Sequence, residues 1–202
     1  ITGGDVFSTR FEVGDRTMAV ATSQAAERLY RSPGGRPGRV DNHIVVGAAA
    51  EAHWLPQETI AFDGASLERR LTIDVAETAR LIAVECVVLG RTAMGERVRA
   101  LHLVDHWRIS RGGQLVYADA TRLVGDPAAI LSGRATGQLP EGPATAFATV
   151  IVVAPDAETR LDPTRDALSV LTIKSAASAW NGLLAVRLIG ADGSTLRRDL
   201  AM

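Results

Sequence analysis

Twenty-three acidic side chains, four histidines and one cysteine are the groups in this 202-residue sequence best suited to ligate a metal or carry a proton near neutral pH. His102 and His106 stand four apart, which on a helix would place both rings on one face. They sit instead in Leu101-His102-Leu103-Val104-Asp105-His106-Trp107, an alternating stretch. Four residues of strand span about 13 Å, too far for both imidazoles to reach one metal at about 2 Å. They read as exposed-face histidines, with a distant pair feeding a larger site as the alternative. Cys86, between Glu85 and Val87, has no neighbouring histidine or cation to activate it, and reads as a small buried hydrophobe.

Three further segments carry polar groups in unusual company. Ile1-Thr2-Gly3-Gly4-Asp5 offers two glycines and a carboxylate. A phosphate-cradling loop needs a strand before it and a helix after. A strand follows here, so the segment reads as a tight turn in which Asp5 caps backbone amides. Ala52-His53-Trp54-Leu55-Pro56-Gln57-Glu58-Thr59 sets an amide and a carboxylate behind a rigid Trp-Pro corner. That suits a binding surface or the wall of a polar channel, and equally a packed corner where Glu58 pairs an arginine. Gly90-Arg91-Thr92-Ala93-Met94-Gly95-Glu96 is a loop with Arg91 and Glu96 at its ends. Such loops carry function, and an Arg–Glu pair closing a turn is the ordinary alternative. No nucleophile set, zinc spacing or partnered carboxylates can be read along the chain, although triads assemble from distant positions.

The elements that must position these groups are mostly strands. Two-residue alternation, β-branched runs and turn signals place strands at 6–13, 18–22, 42–50, 59–62, 67–75, 81–89, 97–109 and 114–124, then 144–153 and 183–189. On 67–75 the apolar face carries Leu71, Ile73 and Val75; 81–89 is apolar enough to be covered on both faces. Ser110-Arg111-Gly112-Gly113 marks a hairpin. Asp126-Pro127 and Asp162-Pro163 are helix starts, and Asp192-Gly193 turns into a possible terminal helix. Residues 32–39, rich in glycine, proline and arginine, read as a mobile loop. No repeat period stands out, and nothing divides the chain, so 1–202 is expected to be a single, mainly β domain.

Composition narrows the function classes. The chain is 47% hydrophobic, which excludes a disordered protein. Twenty-two basic against 23 acidic residues leave a charge of −1, arguing against bulk binding to nucleic acid or a membrane surface. No apolar run approaches the roughly 20 residues a membrane-spanning helix needs. A lone cysteine fits a reducing compartment, so a cytoplasmic location is expected. The chain opens without Met and stops within a charged amphipathic stretch at Leu200-Ala201-Met202, so it reads as a fragment truncated at both ends.

Taken jointly, four stretches resemble the UreD (or UreH) family of urease accessory proteins, in order and spacing. They are Ile1-Thr2-Gly3-Gly4-Asp5, Thr22-Ser23-Gln24-Ala25-Ala26-Glu27-Arg28-Leu29-Tyr30-Arg31, Trp54-Leu55-Pro56-Gln57-Glu58-Thr59-Ile60-Ala61-Phe62-Asp63-Gly64-Ala65 and Leu89-Gly90-Arg91-Thr92-Ala93-Met94-Gly95-Glu96. The match covers residues 1–135 with specific motifs and the remainder more diffusely. The family normally has a segment before the Gly-Gly-Asp motif and a short one after Met202. The resemblance implies a solenoid-like stack of strands with about two helices. It also implies a non-catalytic maturation factor that holds apo-urease, recruits UreF and UreG, and has no tightly bound cofactor. Nickel would be in transit through a polar internal tunnel, with no nucleic-acid or membrane partner.

A conduit needs spaced carboxylates that release what they capture, and Ni²⁺ accepts carboxylate, imidazole and water ligands. Asp5, Glu27, Glu58, Glu85 and Glu96 fall in or beside the matching motifs. Asp5, Glu58 and Glu96 are the expected weak nickel-path groups. Gln24, Tyr30, Arg31, Trp54, Gln57 and Arg91 are the expected scaffold or partner contacts. A reading from another class is a metal-dependent hydrolase built from His53, His102, His106 and nearby carboxylates, which requires those ligands to converge.

Overall fold

The computed structural model describes residues 1–91, 94–134 and 144–200. Thr92 and Ala93 of the Gly90–Glu96 loop, and Ala201 and Met202 at the C-terminal end, lie outside the described residues. The chain begins as a coil of about three turns. β1 (Val6–Val13), β2 (Met18–Ala21) and β3 (Glu27–Leu29) form the first turn, and β4 (Gly38–Val46), β5 (Glu51–Trp54) and β6 (Thr59–Ala61) the second. β7 (Ala65–Val75) and β8 (Arg80–Leu89) make the third, and each strand pairs in parallel with its counterpart one turn on. β9 (Leu101–Arg111) adds in parallel to β7, and β10 (Gln114–Gly125) returns antiparallel to it through the expected Gly112–Gly113 turn.

Beyond β10 the chain leaves the coil. α1 (Pro127–Arg134), β11 (Ala146–Val153), α2 (Leu161–Ser169), β12 (Lys174–Trp180), β13 (Leu183–Gly190) and α3 (Gly193–Leu200) follow in order. The result is two facing sheets, β1-β4-β7-β9-β10 and β12-β13-β11-β8-β5-β2, with β3 and β6 alongside β8 in the second. Alternation between buried and less buried positions along β4, and along β7 from Leu67 onward, turns one face of the first sheet inward, as facing sheets require. α2 and α3 cover the outer face of the second sheet, where Leu184, Leu188 and Leu196 pack, so β11 is apolar on both sides.

The stack explains why no repeat period is visible. Val6 lies beside Arg39, Arg39 beside Glu68, and Glu68 beside Val104. Those unequal steps, absorbed by turns of different length, blur any sequence period. Two apolar clusters fill the space between the sheets. One gathers Ile44, Leu71, Ile73, Leu81, Ile109 and Ile151; the other gathers Leu29, Leu67, Leu89, Leu103 and Leu123.

The structure departs from the sequence reading in places. Residues 32–37 make tight turns tied down by bonds from Ser32 N to Gly64 O at 3.0 Å and from Gly4 N to Pro37 O at 3.2 Å. Gly38 and Arg39 already belong to β4, and a Cβ on Gly38 would meet Ile1 Cγ2 at 2.6 Å. β4 stops at Val46 because residues 47–50 turn into β5. Asp126 caps α1 as expected, accepting from the amides of Ala128 at 3.0 Å and Ala129 at 3.2 Å. Asp162 does not cap α2, which runs on directly from the 3₁₀ turn Ala157–Arg160.

Candidate functional site

Between the two apolar clusters lies a polar layer built by one residue from each of several strands. Along β7 the inward positions are Leu67, Arg69, Leu71 and Ile73, so strand parity alone drives Arg69 inside. The same parity buries Glu85 of β8 and Asp105 of β9, each 5% exposed. The Arg69 guanidinium donates through Nε and Nη2 to the two oxygens of Asp105, at 3.2 and 2.7 Å, and through Nη1 to Thr59 Oγ1 at 3.4 Å. Nη1 also forms an ion pair with Glu85 across the gap between the sheets. Two indoles close the layer: Trp54 Nε1 donates to Glu85 at 3.4 Å and Trp107 Nε1 to Asp105 at 3.3 Å.

Burial governs the charges here. Desolvation would lower the Arg69 pKa, but Asp105 and Glu85 more than offset it and the guanidinium stays charged. Burial pushes the Glu85 carboxyl above its ordinary value, opposed by Arg69 and reinforced by the like charge of Asp105. Asp105 takes the two-pronged bond, leaving Glu85 the poorer share of the cation.

This layer is continuous with a cavity of about 230 Å³ lined by Thr9, Glu27, Asn42, Gln57, Arg69 and Glu85, with Trp54, Pro56 and Cys86 among its apolar walls. On the other side it continues across the second sheet, where Glu85 sits opposite Thr149 and Thr149 opposite Arg187. Arg187 donates to Thr149 at 2.7 Å, then crosses to the first sheet to reach Tyr117 Oη at 2.6 Å and Asp119 at 2.5 Å. A file of polar groups therefore runs from the cavity to Arg187, whose side chain is 39% exposed.

The expected path groups are each held separately. Asp5 Oδ2 accepts from Thr2 N at 2.8 Å, the turn-capping arrangement. Glu58 faces Arg197 of α3 at 3.6 Å, and Gln57 Oε1 accepts from the same side chain at 2.8 Å. Glu96 accepts from Arg91 Nε at 2.9 Å, and that bond holds its carboxyl below the usual range. Glu27, within the second motif, and Glu85, just before the fourth, line the cavity. Cys86 sits on its wall half-buried, its thiol pushed up to about 12 by burial and then by Glu58. His53 pairs with Glu51 at 2.9 Å, whereas His102 and His106 border an outer groove of the first sheet with Arg39, Arg70 and Arg122. Among the described residues no three His, Cys, Asp or Glu side chains gather to hold a metal.

The family profile described as UreD urease accessory protein matches residues 1–202. The chain is 45% identical to the urease accessory protein UreD of Azorhizobium caulinodans over 97% of its own length and 70% of that relative. It is 45% identical to the UreD of Xanthobacter autotrophicus over 97% of its length and 66% of that relative. UreD 3 of a Bradyrhizobium strain is 40% identical over 99% of the chain and 70% of that relative. The chain belongs to the UreD family of urease accessory proteins. It spans about two thirds of the length of these curated relatives.

In this UreD chain the four motif segments, remote in sequence, are tied together at one corner of the stack. Tyr30 N donates to Ile1 O at 2.8 Å, and Thr2 Oγ1 donates to Arg31 O at 3.0 Å. Arg31 reaches Asp63 at 3.2 Å, Tyr30 meets Phe62 edge-on at 5.2 Å, and the Arg91 guanidinium lies 4.7 Å above the Phe62 ring. Asp63 accepts from the amides of Arg99 at 2.8 Å and Ala100 at 3.1 Å, bonds that lower its pKa. The two glycines of the first motif have distinct work. A Cβ on Gly3 would collide with Ser32, and Gly4 holds a φ of 89°. Gln24 lies exposed in the turn before β3.

Arg69 and Asp105 were absent from the candidates read along the sequence. The signal that marks them is a charged residue at the apolar parity of its strand, Arg69 with Leu67 and Leu71, Asp105 with Leu103 and Trp107.

Proposed function

We propose that this chain is a non-catalytic factor in urease maturation, working in the cytoplasm. In this reading it holds apo-urease, recruits UreF and UreG, and lets nickel pass through its interior toward the urease metallocentre. The observation that carries the interior path is the polar file between two apolar clusters, entered through the cavity lined by Glu27, Gln57 and Glu85. Oxygen ligands spaced along a channel capture a borderline divalent ion weakly enough to release it. Glu27 and Glu85 are the central groups of the proposed path. Asp5, Glu58 and Glu96 stay beside it as secondary groups that would first exchange their protein partners. The exposed corner of Tyr30, Arg31 and Arg91, with Gln24 beyond it, is the proposed partner contact.

Co-expression with the cognate UreF followed by size exclusion tests the scaffold role: a stoichiometric complex is expected, and a chain eluting free of UreF counts against it. Nickel-dependent urease activation tests the path. Glu27→Gln with Glu85→Gln should lower activation more than Asp5→Ala, Glu58→Ala and Glu96→Ala together, with UreF binding retained. Full activation in both sets would sink the interior path.

A further inference from the structure

The outer face of the first sheet divides into two halves of different charge. On β1, β4 and β7 the outward groups carry both signs and pair within the sheet, Arg39 with Glu68 at 3.7 Å, Arg70 with Asp41 at 3.4 Å and His43 with Asp74 at 2.8 Å. On β9 parity turns His102, His106 and Arg108 outward, and β10 sets Arg122, Ala120 and Ala118 on the same face. No acid holds an outward position from His102 to Arg108 or from Ala118 to Val124. The two acids within these spans, Asp105 and Asp119, point inward to Arg69 and Arg187. Among the described residues no acid pairs with His102, His106 or Arg108.

This half is also open. α2 and α3 cover the outer face of the second sheet, whereas His106, Arg108, Ala118, Ala120 and Arg122 are exposed. Two grooves, of about 490 and 390 Å³, adjoin at Arg70 and His106. Ala118 and Ala120 line the second beside His106 and Arg108, so short side chains lie next to long cationic ones.

We propose that this half of the sheet face docks an extended acidic segment of a partner protein, whose carboxylates meet Arg108, Arg122 and the two histidines. Dimensions and charge select that occupant. His102 to Arg108 spans about 20 Å of strand, the length of roughly six extended residues. Alternate side chains of an extended peptide recur about every 7 Å, the spacing of His106 and Arg108 along β9. The alanines opposite these two leave room for a second backbone to approach. An imidazole N–H donates to a carboxylate whether or not the ring is charged. A nucleic acid asks for more, because its affinity grows with the number of phosphates neutralised. Here the cationic half ends at Glu68 and Asp41, on a chain of net charge −1. The surface shares no residue with the interior path or with the corner of Tyr30, Arg31 and Arg91, so it stands apart from both.

The test uses this chain and a fluorescein-labelled peptide of about eight residues alternating Glu and Thr, read by fluorescence anisotropy at about 50 mM salt. Saturable binding is expected, and it should weaken severalfold at about 300 mM salt. The same peptide with Gln in place of Glu should not bind. Arg108→Gln should raise Kd about two- to fivefold, and Arg108→Glu with Arg122→Glu should raise it about tenfold or more. Arg10→Gln, in the self-paired half, should leave Kd unchanged. Arg108 holds no acid within the chain, so Arg108→Gln decides even where the double variant folds poorly. Absent binding, equal binding of the Gln peptide, or an Arg108→Gln Kd equal to wild type would each overturn the proposal. Tighter binding of a labelled single-stranded RNA of equal charge would overturn it in favour of a nucleic acid. A salt-sensitive dimer that Arg108→Gln splits would overturn it in favour of a second copy of the chain.

Discussion

Two neighbouring zones of the interior are built from alternate residues of the same strands and are held together by opposite physics. On β7, Leu71 and Ile73 enter an apolar cluster in which both are fully buried, while Arg69, two residues before Leu71, enters the polar layer. The apolar zone is stabilised by removal of hydrocarbon from water and by close packing, and any well-shaped hydrophobe would serve. The polar zone must repay the desolvation of three ionisable groups, so its worth depends on every partner remaining in place. One zone is therefore a source of stability. The other is a stability risk retained beside a cavity, which is the pattern expected where an interior has work beyond folding.

The sharpest contrast comes from removing one group in each zone. Arg69→Met should destabilise the chain by about 3–5 kcal/mol, because it leaves Glu85 and Asp105 buried without their cation. Ile73→Ala should cost about 2–5 kcal/mol through lost transfer energy and a cavity. Urea unfolding of both separates the mechanisms: adding Glu85→Gln and Asp105→Asn should recover much of the first loss, and no second substitution of a polar group should recover the second. If the multiple variant is no better than Arg69→Met, the polar zone is a packing element like its neighbour.

The zones should also differ in pH response. Folded Glu85 holds its proton more tightly than the unfolded chain does, its carboxyl lying above the ordinary 4.5. The folded state then binds more protons, so this contribution is full below 4.5 and is lost as pH rises through the folded value. Stability of Glu85→Gln relative to wild type should grow as pH rises above 4.5, measured by unfolding over a pH series. Ile73→Ala should stay parallel to wild type over the same range. A flat difference for Glu85→Gln would mean that Arg69 fully compensates the buried charge.

The smallest effects lie outside both zones. Asp126→Ala removes the two cap bonds of α1 and should cost about 1 kcal/mol. Arg39→Ala, which breaks an exposed 3.7 Å pair with Glu68, should change stability by about 0.2–1 kcal/mol and less at high salt. A loss there as large as that of Arg69→Met would erase the distinction drawn from burial.

Long strands were legible because their apolar residues alternate over many positions. β1, β7, β8 and β10 fall where the pattern puts them, and β9 starts four residues later than read, at Leu101. β3 (Glu-Arg-Leu) and β5 (Glu-Ala-His-Trp) were missed because they are short and hold no β-branched residue, whereas β2 and β6, equally short, hold Val20 and Thr59-Ile60. β12, Lys-Ser-Ala-Ala-Ser-Ala-Trp, was missed because an edge strand of small residues lacks the β-branched signature. The four motifs were legible as motifs, but their meeting at Tyr30, Phe62 and Arg91 depends on contacts across separate turns of the coil. The capping by Asp5 followed from local chemistry alone, whereas Cys86, read as a buried hydrophobe, is half-buried on the cavity wall. The carboxylates bordering the cavity did not follow from local chemistry, because Glu58 and Glu85 look alike along the chain, and only the second faces the space between the sheets.

That this protein is mainly β, where its longest strands run, and which family it resembles can all be read along the chain, since these depend on local alternation and on motifs a few residues long. Which charges are buried, which of them share a cation, and where the polar file opens were decided by the stacking of turns. Parity can place a side chain on the inner face of its own strand. Only the register between strands brings Arg69, Glu85 and Asp105 within bonding distance, and register is set by the packing of the whole stack.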